Sequence, residues 1–206
     1  MVEERDFLIH NAQQLGVTVT QAQAQAMLKL LDLLAKWNKA YNLTAIVQRD
    51  QMLVLHLLDS LAVSPYLEGR NIVDVGTGAG LPGLPLAMVR PELSFTLLDS
   101  NAKKIRFIRQ AVIELGLANV NAVQARVEAF QPPALFDTVL TRAFALLPEI
   151  VSLTWPLLAP GGVSLAMKAR PDELNLAPSD VALETLTLKL PGTDLERCLI
   201  RIRGKD

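Results

Sequence analysis

The chain has 206 residues, of which 50% are hydrophobic, and its 20 basic and 21 acidic residues give a formal net charge of −1 at pH 7. This length fits one α/β domain with an appendage, the apolar content excludes a disordered chain, and the charge balance excludes an acidic or basic tail protein. The single cysteine, Cys198, cannot form an internal disulfide, so we expect a reducing, cytoplasmic setting. The N-terminus lacks the pattern of a signal peptide, and prolines and glycines interrupt the longest uncharged stretch, so no membrane-spanning helix is expected.

Residues 1–70 have a helical pattern. Thr20 and Gln23 form a capping-box start, and apolar residues then recur at helical spacing up to Trp37. A second helix is expected from about Asp50 to Tyr66. A helical unit of this size is too thin to fold alone, so the sequence predicts that residues 1–70 are a cap packed on the rest of the chain.

From residue 71 the period changes, and strand-like runs alternate with helical ones as in a mostly parallel sheet with right-handed crossovers. The predicted strands are 71–75, 94–98, 119–123, 136–140, 162–167, 182–190 and 196–203, with a helix at 102–115. A Pro191-Gly192 turn joins the last two strands and predicts an antiparallel hairpin at the edge of the sheet. Residues 71–206 therefore form one predicted α/β domain.

A glycine-rich turn, Asp74-Val75-Gly76-Thr77-Gly78-Ala79-Gly80, follows the first strand, where an α/β sheet exposes its ligand crevice. Glycines at such a turn let the backbone approach a ligand closely. The dinucleotide fingerprint fits poorly, because Leu81 stands three residues after Gly78 and the shifted pattern ending at Gly83 begins two residues too far from the strand. The unshifted pattern suits a nucleoside that brings no pyrophosphate.

Asp99 ends the second predicted strand, where a carboxylate can accept both hydroxyls of a ribose. Taken alone, it could equally cap the following helix, but beside the glycine turn the ribose role is favoured. The segment Arg126-Val127-Glu128 follows the third strand on the same edge. It is either a contact for an adenine base or a plain connector.

These motifs, together with the Pro160-Gly161-Gly162 turn, resemble the class I S-adenosylmethionine-dependent methyltransferases, which have a Rossmann-like, seven-stranded, mostly parallel sheet. Longer strings narrow the resemblance to the RsmG family, also called glucose-inhibited division protein B, of bacterial 16S ribosomal RNA guanine-N7 methyltransferases. The strings are KWNKAYNLT at 36–44, HLLDS at 56–60, VDVGTGAGLPG at 73–83, FTLLDS at 95–100 and TRAF at 141–144.

The resemblance implies methyl transfer from S-adenosylmethionine to N7 of one guanine of 16S rRNA or of the small ribosomal subunit, by a monomer that needs no metal or membrane. Its pattern places Arg142 beside the methyl group. The residues implied for the cofactor are Asp74, Gly76, Gly78, Gly80, Leu81, Asp99, Val127, Glu128 and Arg142. The chain departs from the family at Leu55, where a basic residue is usual, and at Ala169, where a glycine usually follows Lys168.

Guanine N7 carries a lone pair and no proton, so its methylation needs alignment more than a general base. Arg142 is the predicted catalytic and substrate-binding residue, because a guanidinium can bond guanine O6, stack on the base or hold a phosphate, although a surface ion pair is the alternative. Further candidates for contacts with RNA are Lys103, Arg106, Lys168 and Asn42. The basic run from Lys103 to Arg109 equally fits a solvated helix face.

Two other functions remain open at this level. The lack of net positive charge favours a methyltransferase of the same fold that acts on a small molecule, because RNA binding draws much of its affinity from basic surfaces. A ribosome-binding or assembly protein without catalysis would also keep the fold. With two histidines and one cysteine, no metal-ligand cluster is predicted.

Overall fold

The computed structural model describes residues 2–168 and 180–204, with Lys168 represented by its backbone only. The strands in these ranges are β1 (Asn71–Val75), β2 (Ser94–Asp99), β3 (Val120–Gln124), β4 (Phe136–Arg142), β5 (Leu158–Lys168), β6 (Val181–Lys189) and β7 (Glu196–Gly204). They form one seven-stranded sheet in the order β3-β2-β1-β4-β5-β7-β6. The first five strands are parallel, and β7 is antiparallel to both β5 and β6. This confirms the predicted, mostly parallel sheet with its antiparallel edge hairpin.

Helical segments connect and cover these strands. They are α1 (Val2–Gln14), α2 (Gln21–Tyr41), α3 (Arg49–Met52), α4 (Asp59–Leu61), α5 (Gly83–Val89), α6 (Ala102–Leu115) and α7 (Leu147–Thr154). A π-helix, Leu53–Leu58, joins α3 to α4, and 3₁₀ turns occupy Ser64–Tyr66, Val127–Ala129 and Trp155–Leu157. In the described ranges no helix is both long enough and apolar enough to cross a membrane.

The helices before residue 70 share a core with the sheet domain. α2 begins at the predicted capping box, in which Thr20 Oγ1 accepts from the Gln23 backbone and the Gln23 side chain accepts from the Thr20 N–H. One buried cluster joins Leu8 of α1 to Phe107 of α6, and the ring of Trp37 meets that of Phe107 edge to face at 5.8 Å. The helices therefore bury their apolar faces against the sheet domain, while the domain boundary at residue 70 stays a prediction.

The structure differs from the single helix predicted over Asp50 to Tyr66. After α3 the chain widens into the π-helix, where the Asp59 N–H donates to Val54 O five residues earlier. The widened turn coincides with a long-range contact, because Leu55 O accepts a hydrogen bond from Nη1 of Arg142 at 3.3 Å. The spacing of hydrophobic residues along the helix cannot predict this contact with Arg142. Single π-turns are frequent at functional sites, and this one lies beside Arg142.

β5 begins earlier than predicted, at Leu158 rather than residue 162. Leu158 pairs with Phe136 of β4, and the register then shifts before Val163 pairs with Thr138. The intervening Gly161 has a φ of +76°, which favours glycine. The glycine pair therefore forms an irregularity within the strand rather than a turn before it, because the flanking residues find ladder partners that only the folded sheet supplies.

Candidate functional site

The backbone turns sharply directly after β1. Gly76 has a φ of +68°, and the N–H groups of Gly76 and Thr77 both donate to Leu98 O, at 2.8 and 3.1 Å. A Cβ added at Gly76 would stand 2.5 Å from Cδ2 of Phe144, a separation that real Cβ atoms do not show. Glycine is thus required at position 76 for two independent reasons, the left-handed backbone and the neighbouring ring.

Asp74 forms hydrogen bonds that connect this turn to the start of the next helix, α5. Its carboxylate is fully buried, and Oδ2 accepts hydrogen bonds from Thr77 Oγ1 at 2.7 Å and from the Gly83 N–H at 2.9 Å. Burial raises the pKa of Asp74 to about 6, although these two hydrogen bonds act in the opposite direction. The Asp74 side chain therefore stabilises the turn through buried hydrogen bonds and does not line the cavity at this edge of the sheet.

Asp99 ends β2 beside the same turn. Its Oδ2 accepts from the Gly78 N–H at 3.0 Å, and its Oδ1 accepts from the Asn101 N–H at 2.8 Å. Lys104 Nζ lies 3.6 Å from Oδ2. The N-cap of α6 is Asn101, whose side chain accepts from the Lys103 N–H at 2.9 Å. Asp99 is thus not the helix cap, and its carboxylate borders the crevice.

A cavity of about 350 Å³ occupies this edge of the sheet, between the loops that follow β1, β2, β3 and β4. Gly76, Asp99, Val127, Glu128 and Phe144 are among the residues that line it. Of the other residues predicted for the cofactor, Asp74, Gly78, Gly80, Leu81 and Arg142 are not among its lining residues. Four of the residues that the sequence predicts to contact the cofactor thus line one cavity.

A second cavity, of about 480 Å³, lies next to the first, and Ala143 lines both. Ala143 has a φ of +48°, which is unusual for alanine, at the point where β4 ends and the chain leaves the sheet. Arg142 lines the second cavity, together with His56, Asp59 and Arg197. The two cavities therefore adjoin each other. The first is bordered by the glycine turn, and the second is lined by two arginines.

The family model of rRNA small subunit methyltransferase G matches residues 23–193 of this chain. A protein named ribosomal RNA small subunit methyltransferase G from Methylococcus capsulatus is 52% identical, over 94% of this chain and 96% of its own length. One of the same name from Yersinia pestis is 48% identical, over 99% and 100% of the two chains. The chain belongs to this family.

Solved structures are similar to this chain in fold. The glycopeptide N-methyltransferase MtfA superposes with a TM-score of 0.60 at 14% identity, over 72% of this chain and 94% of its own. A precorrin-6y C5,15-methyltransferase from Geobacter metallireducens gives a TM-score of 0.52 at 18% identity, over 79% and 92%. The sheet of this member of the rRNA small subunit methyltransferase G family thus has the Rossmann-like class I methyltransferase fold.

In this family member, the Arg142 side chain does not line the first cavity but forms an ion pair with Asp59. Its Nη1 donates to Oδ2 of Asp59 at 3.3 Å, and Nε of Arg197 donates to Oδ1 of the same carboxylate at 3.1 Å. Burial raises the pKa of Asp59, whereas the two guanidinium groups act to lower it. Sequence reasoning did not select Asp59 or Arg197 as site residues. Asp59 lies within the matched string 56–60, but Arg197 lies in a region that carries no motif.

His56 packs against this group as a buried side chain of the cap. Its Nε2 lies 3.0 Å from Oγ1 of Thr44, and Thr44 is itself fixed by two hydrogen bonds with the Asn38 side chain, each 2.9 Å long. Burial, and secondly the charge of Arg142, lower the pKa of His56 to about 4. The imidazole is therefore uncharged at pH 7.

The remaining predicted contacts with RNA lie away from the two cavities or beyond the described atoms. Lys103 and Arg106 are exposed on α6, and Asn42 is exposed at the end of α2, where its φ of +49° makes it the left-handed cap. The Lys168 backbone pairs with Cys198, but its side chain, like Ala169, lies outside the described part of the chain. Over residues 2–168 and 180–204, no three His, Cys, Asp or Glu side chains could hold a metal ion together.

Proposed function

We propose that this protein transfers the methyl group of S-adenosylmethionine to N7 of a guanine in 16S rRNA. The observation that carries the proposal is the pair of adjoining cavities, one bordered by the glycine turn and Asp99 and the other by Arg142. The relatives from Methylococcus capsulatus and Yersinia pestis, which are named as methyltransferases of small-subunit ribosomal RNA, support the same conclusion.

The residues around the first cavity fit S-adenosylmethionine. Its volume of about 350 Å³ lies within the range of small-molecule sites, roughly 300–1,000 Å³. The Asp99 carboxylate can accept hydrogen bonds from ribose hydroxyls, and the absence of a side chain at Gly76 lets the ligand approach the backbone. Asp99, Glu128 and Glu149 line this cavity together with two basic residues, Lys104 and Arg126. The three carboxylates are available to pair with the sulfonium and ammonium groups of the ligand.

The second cavity would hold the purine. When bound, S-adenosylmethionine would supply an electrophilic methyl group: its methyl–sulfur bond would break as a bond to N7 forms, so that the sulfonium leaves as the neutral thioether of S-adenosylhomocysteine and the positive charge passes to the base. No protein group has to remove a proton from N7. The task of the chain is to align the two molecules, and well-oriented reactants gain up to about 7–11 kcal/mol from proximity. In this proposal Arg142 would orient the purine, since its guanidinium donates hydrogen bonds but cannot accept a proton.

RNA binding would rely on local patches, because the chain as a whole carries a formal net charge of −1. Lys103, Arg106 and Arg109 are exposed along α6, whose first turn adjoins Asp99 of the first cavity. Cations at that place can contact phosphates that flank an inserted base. Lys168 and Asn42 remain predicted contacts of the same kind, and a monomer remains the predicted state.

The test is methylation of small ribosomal subunits, and separately of naked 16S rRNA, from cells that lack this modification. Purified protein with methyl-labelled S-adenosylmethionine is expected to label the RNA, and mass spectrometry of its nucleosides is expected to yield 7-methylguanosine. Label in small metabolites but not in RNA would instead establish the small-molecule methyltransferase. Calorimetry without any cofactor binding would favour the non-catalytic ribosome-binding protein. Size-exclusion chromatography with light scattering tests the monomer.

A further inference from the structure

We infer that the second cavity, lined by His56, Asp59, Arg142 and Arg197, receives the target guanine, and that Arg197 is a second substrate-binding arginine which Asp59 positions beside Arg142. This inference rests on the proposed function and adds to it the residues that select the base. It concerns a part of the chain, the edge hairpin, to which no sequence motif drew attention.

The four side chains reach this cavity from different parts of the fold. His56 and Asp59 come from the cap, at the π-helix and the first turn of α4, while Arg142 ends β4 and Arg197 lies near the start of β7. Asp59 binds one arginine with each oxygen, at 3.3 Å to Arg142 and 3.1 Å to Arg197. A single carboxylate therefore fixes two guanidinium groups at one cavity wall.

The burial of the shared carboxylate distinguishes this group from the Arg201–Glu184 ion pair of the same hairpin, whose carboxylate is 54% exposed. The Asp59 side chain is 8% exposed, whereas Arg142 and Arg197 are 23% and 27% exposed. The carboxylate is thus buried behind the two guanidinium groups, which keep contact with solvent. Holding charged groups in this manner costs desolvation energy that apolar residues would avoid, and the open sides of the two guanidinium groups face a cavity that can hold a ligand.

Each arginine keeps hydrogen-bond donors for that ligand. Within the described residues, Arg142 uses only Nη1, toward Asp59 and Leu55 O, so its Nε and Nη2 remain available. Arg197 uses Nε toward Asp59 and Nη1 toward Glu196 O, which leaves Nη2. A guanidinium has five N–H donors and no acceptor. Two such groups would therefore favour a ligand whose facing edge carries hydrogen-bond acceptors and no donors.

Guanine presents such an edge. Its N7 and O6 are both acceptors, whereas adenine replaces O6 with an amino donor that would oppose the guanidinium N–H groups. With N7 directed at the methyl donor, O6 is the adjacent atom and the natural acceptor for an arginine. The two arginines would therefore distinguish guanine from adenine while they hold N7 in line for transfer.

Asp59 also limits the positive charge around the base. Two guanidinium groups and one carboxylate carry a net charge of +1, and the neutral His56 adds none at pH 7. Because methylation at N7 turns the base into a cation, additional positive charge around it would oppose the reaction. Asp59 thus positions the arginines and also offsets one of their two charges.

The experiment compares Arg197→Ala and Arg197→Lys with the wild type and with Arg201→Ala. Arg201 lies four residues along β7, pairs with Glu184 at 2.6 Å and does not line the cavity, so it is a matched control. Arg197→Lys preserves a cation for Asp59 but loses the planar fork of donors. Cofactor affinity by calorimetry, melting temperature, and kcat and KM on small ribosomal subunits are measured for each protein.

Arg197→Ala is expected to lower kcat/KM about 10- to 100-fold, the equivalent of one lost base contact, while cofactor affinity stays at the wild-type value. Arg197→Lys is expected to melt like the wild type and still lose kcat/KM, and Arg201→Ala is expected to retain it. Unchanged kcat/KM in Arg197→Ala would overturn the inference, as would full activity in Arg197→Lys or a parallel loss of cofactor affinity. A wild-type protein that forms no 7-methylguanosine would instead refute the proposed function, whatever the variants do.

Discussion

The ring of Phe144 occupies the space that a side chain at Gly76 would need, since a Cβ there would stand 2.5 Å from its Cδ2. Phe144 follows β4 and Gly76 follows β1, so this contact joins two of the loops that border the first cavity. The position of the ring and the shape of the cavity are therefore linked.

Gly76→Ala is expected to abolish cofactor binding in calorimetry. The substitution forces an L residue to a φ of +68° at a cost of about 1 kcal/mol, and its methyl group displaces Phe144 from the cavity wall. Gly116→Ala is the matched control, because Gly116 has a φ of +65° with no atom near its Cβ position. The control is expected to lose similar stability and to bind the cofactor normally. Equal cofactor affinity in the two variants would contradict the role of Gly76.

Asp99→Asn tests the ribose contact. The amide keeps the size of the side chain but replaces a charged acceptor of hydrogen bonds, so cofactor affinity is expected to fall about 10- to 100-fold. Titration calorimetry with S-adenosylmethionine gives the comparison.

Asp137→Asn is the control for Asp99→Asn. The Asp137 carboxylate also accepts two backbone N–H groups, from Arg70 at 2.7 Å and Asn71 at 2.9 Å, but it lies at the opposite end of β1. This variant is expected to lose stability and keep its affinity for the cofactor. If Asp99→Asn bound the cofactor as the wild type does, the role of Asp99 would be limited to its contacts with the backbone.

Arg142→Lys tests whether the predicted catalytic arginine handles the substrate. Lysine still provides a cation for the buried Asp59, which limits the loss of stability that an unpaired carboxylate would cause. It lacks the planar donors, so turnover on small ribosomal subunits is expected to fall at least about tenfold with unchanged cofactor affinity. Single-turnover methylation with saturating cofactor measures the effect. Wild-type turnover would show that Arg142 serves only as an ion-pair partner.

His56 predicts a dependence of stability on pH. Because its folded pKa of about 4 lies below the ordinary histidine value of 6.5, the unfolded state binds more protons between these values. Its contribution to the free energy of unfolding is complete above pH 6.5 and falls by about 3 kcal/mol as the pH drops to 4. Asp74, with a pKa raised to about 6, contributes in the opposite direction, since its protonation favours the folded state as the pH falls.

The two contributions overlap, so the measurement is the difference between the wild type and His56→Gln in urea unfolding from pH 7 to pH 4. The stability advantage of the wild type is expected to shrink steadily toward pH 4. His10→Gln, at an exposed histidine of α1, serves as the control for the replacement of an imidazole by an amide. A constant difference between the wild type and His56→Gln would show that His56 does not titrate as described.

Four of the nine residues predicted for the cofactor line the first cavity, and local patterns explain why they meet there. The glycine turn and Asp99 each stand at the end of a strand that its own residues define, and parallel strands bring such ends to one edge of the sheet. Val127 and Glu128 follow by the same rule. The local prediction that was wrong is the single helix expected from Asp50, where the structure has a π-helix that contacts Arg142, a residue far along the chain.

By itself, the sequence determined the succession of strands along the chain, the capping box of α2 and the glycine turn that borders the first cavity, since short-range spacing encodes all three, and its longer matched strings indicated the family. Only the tertiary structure decided the group around Asp59. Asp59 and Arg197 are 138 residues apart, on a cap helix and an antiparallel strand. No local pattern reports that pairing, because an ion pair depends on where two charged groups meet in space and not on the residues beside them.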